Sequence, residues 1–146
     1  MANATVSHQV AAGTNLTIIH LQSTTGARAA VNFVLLGSDA TPANLAGEFN
    51  LAATTATVGG GTNLTEVDVS QIVTPVVGAF GGTFTTEPTY GNIFLMIPRN
   101  QQATFQWWAN PNFEPKALAS GTAGVGLRTI GHGGTPNMNS TIMWAE

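Results

Sequence analysis

Hydrophobic and polar positions alternate over short stretches of this chain, and no window of a dozen residues keeps a period of 3.6. From Asn15 to Gln22, Leu16, Ile18 and His20 fall on one side of an extended backbone and Thr17, Ile19 and Leu21 on the other. Arg28 to Leu36 groups Val31, Phe33 and Leu35 in the same way. Glu48 to Ala52, Ala56 to Val58, Glu66 to Ile72 and Thr83 to Thr86 make shorter runs. Asn92 to Ile97 is nearly all apolar, which predicts a strand buried on both faces. Ala103 to Ala109, Val125 to Ile130 and Asn139 to Ala145 complete the set. Gly59-Gly60-Gly61, Gly81-Gly82, Gly133-Gly134 and the prolines lie at the margins of these runs, where positive φ helps and a missing N–H does no harm. About eight to ten strands at this spacing indicate a sandwich or barrel.

The expected fold is therefore all-β: an antiparallel β-sandwich, an eight-stranded jelly roll, occupying residues 14–146 as a single domain. A short helix at Ala43 to Ala46 or Pro115 to Ala119 is compatible with that class. Residues 1–13 show no strand pattern and are read as an amino-terminal arm that reaches to a neighbour.

Composition narrows the chemistry. Charged residues are 8% of the 146, against about 25% in an ordinary soluble domain. The polar surface is instead supplied by 21 threonines, 12 asparagines and the backbone of 17 glycines. Cysteine is absent, which excludes disulfides, thiol nucleophiles and cysteine-zinc sites. Four cations (Arg28, Arg99, Lys116, Arg128) in a net charge of −3 do not suit a row of phosphates, so no nucleic-acid partner is expected. No apolar run approaches the ~20 residues of a bilayer span, and Met1 to Gln9 is polar, so a soluble domain without a membrane partner is expected.

Catalytic patterns are weak. His8, His20 and His132 show no metal-ligand spacing, and no metal or cofactor is expected. Gly131-His132-Gly133-Gly134 resembles an esterase oxyanion loop, but no nucleophile elbow accompanies it. Glu66 and Asp68 would share one strand face about 7 Å apart, a separation compatible with inverting glycosidases and equally with a solvated face. No enzymatic activity is expected. The adjacent indoles Trp107 and Trp108 must point to opposite faces of a strand. Trp107, on the side of Phe105, suits the core. Trp108 lies beside Thr104 and Gln106, either emerging as a contact anchor or covered by Phe113 from the long connection Asn110 to Gly124. Trp144 carries the same ambiguity.

Ile97-Pro98-Arg99, Ala103-Thr104-Phe105-Gln106-Trp107-Trp108-Ala109, Pro111 through Ala119, Gly126-Leu127-Arg128 and the closing Trp144-Ala145-Glu146 resemble small jelly-roll proteins of tailed bacteriophages. Those proteins decorate or cement the capsid exterior, commonly as trimers. The resemblance covers residues 90–146. It implies a structural virion protein, made in the host cytoplasm and carried on the capsid surface, that bridges neighbouring subunits of the major capsid protein and forms a homotrimer. Trp108, Phe113, Arg99 and Lys116 are the residues expected at the contacts. A surface with few charges suits a dense array, because like charges repeated on neighbours repel. Few long charged side chains also means less rotamer entropy lost per contact. The alternative is a carbohydrate-binding β-sandwich module, as in a tail or fibre protein, with Trp108 or Trp144 as its stacking platform.

Overall fold

A computed structural model describes residues 1–9, 15–38, 42–55, 58–68 and 74–146, without the side chains of His8 and His132. Among these residues the chain forms eleven strands and no helix. They are β1 (Ala2–Gln9), β2 (Thr17–Gln22), β3 (Ala30–Ser38), β4 (Ala46–Thr54), β5 (Thr62–Asn63), β6 (Val67–Asp68), β7 (Gly78–Gly81), β8 (Tyr90–Asn100), β9 (Phe105–Trp108), β10 (Gly124–His132) and β11 (Asn137–Ala145). Two antiparallel sheets result, in the orders β6-β1-β11-β3-β9 and β5-β7-β2-β10-β4-β8, and they pack as a sandwich.

The order has a simple origin. β1 to β4 run out and β8 to β11 return, pairing β1 with β11, β2 with β10, β3 with β9 and β4 with β8. This long double strand then rolls up, so that β11 also meets β3 and β10 also meets β4. Eight strands connected in this way are a jelly roll. β5, β6 and β7 lie between β4 and β8 in the chain and add to the far edges, beside β2 and β1.

The core lies between the sheets and follows the strand alternation. Ile19 and Leu21 of β2, Leu51 of β4, and Val125 and Leu127 of β10 meet Val34 and Leu36 of β3 and Ile142 and Trp144 of β11. At about 25 cal/mol per Å² of apolar area, such fully buried side chains are the main source of cohesion in a chain without disulfides.

Several expectations are corrected. Residues 2–9 are not a free arm: they form β1, paired along their whole length with β11, and Ala2 and Ala4 are buried opposite Trp144 and Ile142. Residues 10–13 lie outside the described set. The proposed helices are absent, since Ala46 opens β4 and Lys116 bridges to Ala30. Asn92 to Ile97 is not buried on both faces, because β8 is an edge strand. Thr83 to Thr86 contributes only an isolated bridge from Thr86 to Gly59, while β7 lies just before it. Ala56, Thr57 and residues 69–72 of two further runs lie outside the described residues.

Candidate functional site

Five of the ten exposed large apolar side chains of the described residues, Ile93, Phe94, Met96, Trp108 and Phe113, lie on or next to the two strands that edge one flank of the sandwich. β8 ends one sheet and β9 ends the other, and the two strands are joined through Gln101 to Thr104, so both edges lie on the same flank. In β8 alternation sends Leu95, Ile97 and Arg99 inward, opposite Leu51, Phe49 and Gly47. Ile93, Phe94 and Met96 face solvent, Met96 being 57% exposed. From Tyr90 to Pro98 the strand has no charged residue. A long apolar edge offers unpaired backbone groups beside a hydrophobic surface, the combination that recruits a further strand. Pro98 blocks pairing at one position only.

β9 adds aromatic surface. Trp107 points inward and packs on the core, as the Phe105 alternation requires. Trp108 is 58% exposed on the outer face, its ring centroid 4.3 Å from that of Phe33. Phe113 does not cover it, being itself 81% exposed. Trp144 is fully buried, which removes it as a stacking platform. Its indole N–H donates to Glu146 Oε1 at 3.2 Å.

Beyond Trp108 the chain leaves and rejoins β3. Ala109 N–H donates to Asn32 O, residues 110–114 bulge outward, and Val31 N–H then donates to Pro115 O. Asn112 supports this excursion with φ of 69°, a left-handed conformation that asparagine tolerates well. Between the excursion and the sheet lies a solvent-open cleft of about 300 Å³ whose lining includes Arg28, Ala30, Asn32, Glu114, Lys116 and Ala145. Lys116 Nζ is 3.4 Å from Glu114 Oε2. Glu114 Oε1 also accepts from Asn112 N–H at 3.0 Å. Backbone N–H groups, its own first and then that of Asn112, hold the Glu114 carboxyl below its ordinary range, and Lys116 adds to this.

The outer face of the other sheet pairs its polar groups with one another. Thr17 N–H and hydroxyl both donate to Glu87 Oε2, and the Tyr90 hydroxyl donates to Thr17 Oγ1 at 2.6 Å. The Arg128 guanidinium lies 3.9 Å over the Tyr90 ring and donates to Asn50 Oδ1 at 3.0 Å. Burial holds the Tyr90 phenol above its ordinary range; Glu87 adds to the effect and Thr17 and Arg128 oppose it. His20 is fully buried, its Nε2 2.8 Å from Thr54 Oγ1, and burial lowers its pKa to about 4. These contacts tie β2, β4, β8 and β10 together and leave the half-buried Glu87, Tyr90 and Arg128 engaged with one another or with their neighbours.

Of the residues expected at contacts, Trp108, Phe113 and Lys116 belong to the segment running along β3, whereas Arg99 does not join them. Arg99 is 8% exposed, and its guanidinium donates to Asn100 O, Ser38 Oγ and Gln101 O. Alternation places it inward, which the bare sequence of a positive residue at a strand end conceals. Glu66 and Asp68 serve separate structural contacts: Glu66 Oε1 accepts from Ala79 N–H at 2.6 Å, and Asp68 lies 3.8 Å from the Met1 amino group. Sequence reasoning missed Ile93, Phe94 and Met96 as surface residues and Arg28 and Asn32 as cleft residues. Among the described residues no group of three His, Asp or Glu side chains is placed to hold a metal. No protein-family model, curated protein or solved structure matches the chain.

Proposed function

We propose that this protein is a structural component of a virion, a decoration or cement protein that bridges neighbouring subunits of a bacteriophage capsid and associates with its own copies as a trimer. The apolar β8 edge carries the reading. Eight consecutive residues, Tyr90 to Ile97, present an uncharged strand with Ile93, Phe94 and Met96 outward. Aromatic and methionine side chains are typical interface anchors. A strand edge free of charge and rich in such side chains gains most from a partner that covers it. A bridge that binds only the assembled shell stabilises that shell by mass action. The resemblance of residues 90–146 to capsid decoration proteins supplies the identity of the partner, and a surface with so few ionic groups suits close packing of copies.

Sedimentation of the purified protein and imaging of capsids assembled with and without it test the reading. The expected results are a species near three times 15.0 kDa and added density with greater heat resistance on coated shells. A strict monomer at every concentration that leaves shells bare overturns it.

A further inference from the structure

We propose that the cleft on the outer face of the β1-containing sheet binds a carboxylate-bearing saccharide, with Arg28 holding the acid and Trp108 carrying a neighbouring sugar ring. The site is distinct from the β8 edge and does not depend on the capsid reading.

The charges in the cleft are not equivalent. The Glu114 carboxylate is engaged by Lys116 and by Asn112 N–H. Glu146, at the cleft's other side, accepts from Val76 N–H, Val77 N–H and the Trp144 indole. Arg28 is exposed and makes no hydrogen bond or ion pair among the described residues. The unused charge of the cleft is therefore a guanidinium, whose planar fork matches a carboxylate. Asn32 Oδ1 is buried at the cleft and has no partner. A small rotation of the Asn32 side chain would bring this unpaired acceptor to the cleft surface, where a ligand hydroxyl could donate to it. Ala30 and Ala145, paired across β3 and β11, leave a low floor between these groups.

The sheet register brings an aromatic platform to the same face. A register shift between Met143 and Trp144 makes room for Asn32, so Val31 and Val34 both point inward while Ala30 and Phe33 both point outward. Trp108 rests on Phe33, which fixes the indole before any ligand arrives. Phe33 is three residues from Ala30, roughly 10 Å along the strand, the reach of a short oligosaccharide. An exposed, immobilised indole next to a hydrogen-bonding cleft favours a sugar over a small carboxylic acid, which would fill the cleft and leave Trp108 unused.

The full chain, titrated with methyl glycosides of glucuronate, galacturonate and N-acetylneuraminate and with oligogalacturonates, provides the test. Tryptophan fluorescence and calorimetry would follow binding. At least one acidic probe is expected to saturate in the millimolar range or below, and its methyl ester to bind about tenfold more weakly. Arg28→Ala is expected to weaken binding about tenfold and erase the acid–ester difference. Trp108→Ala is expected to weaken oligosaccharides more than monosaccharides. An unchanged melting temperature in each variant would verify folding. No saturation by any acidic probe, equal affinity for acid and ester, or wild-type affinity in Arg28→Ala overturns the assignment. Tighter binding of tetra-aspartate than of every saccharide also overturns it, assigning the cleft to acidic peptides.

Discussion

Strands β2 and β8 are both apolar, yet they have opposite surroundings. β2 lies between β7 and β10, and all five residues from Thr17 to Leu21 are buried. Ile19 and Leu21 enter the core, while Thr17 and His20 lie under a polar layer on the outer face. Among the described residues β8 has a neighbour on one side only, and its outward residues meet solvent. Apolar content thus marks a strand, whereas its place in the sheet order decides whether the apolar groups hold the molecule together or wait for a partner.

Truncation should separate the two most sharply. Ile19→Ala removes a fully buried side chain and is expected to lower stability by about 2–5 kcal/mol, whereas Ile93→Ala should change it by less than about 0.5 kcal/mol. Urea unfolding of the two variants measures both values. Comparable losses would show that β8 is as deeply packed as β2.

Acid should weaken the β2 side next. His20 titrates near 6.5 unfolded and about 4 folded, so between these values the unfolded chain binds more protons. Its contribution to stability is fully present above pH 6.5 and falls as pH drops toward 4. The loss amounts to roughly 3 kcal/mol. His20→Leu is expected to flatten the stability curve across that window, read by denaturant melts at pH 7 and pH 4.5.

A smaller effect is expected where β10 underlies the half-buried Tyr90. A Cβ on Gly126 would come 2.6 Å from the Tyr90 hydroxyl and 2.8 Å from its ring. Gly126→Ala should therefore displace the ring from Thr17 and Arg128, at a cost of about 1–3 kcal/mol, and raise the solvent exposure of Tyr90 in absorbance difference spectra. Pairing it with Tyr90→Ala should relieve the overlap, so the double variant should lose less than the two single losses combined.

Met96→Asp is the mildest change to the fold and the most informative about the edge. Its side chain already faces solvent, so stability should move by less than about 0.5 kcal/mol. A charge on the strand edge should instead suppress self-association, measured by sedimentation. A trimer that survives Met96→Asp would place the contact elsewhere.

Much of the fold was legible locally. The opposite directions of Trp107 and Trp108 followed from strand alternation alone, and they hold in the structure. β1 is hard to see in the sequence although its alternation is regular, because its inward positions are Ala2, Ala4 and Val6. Alanine gives almost no periodic signal, and it fits here because the large Trp144 and Ile142 stand opposite. Arg99 misled for the converse reason: its charge suggested a surface, while three oxygen acceptors inside the fold receive its guanidinium.

By itself the chain determined its class, an antiparallel sandwich of short strands, because alternation and turn chemistry are properties of neighbouring residues. Tertiary structure alone decided that β8 is an edge, that Trp144 is core and that Arg28 and Asn32 share a cleft. Those outcomes depend on which strands hydrogen-bond across tens of residues and in what register, and no local pattern encodes them.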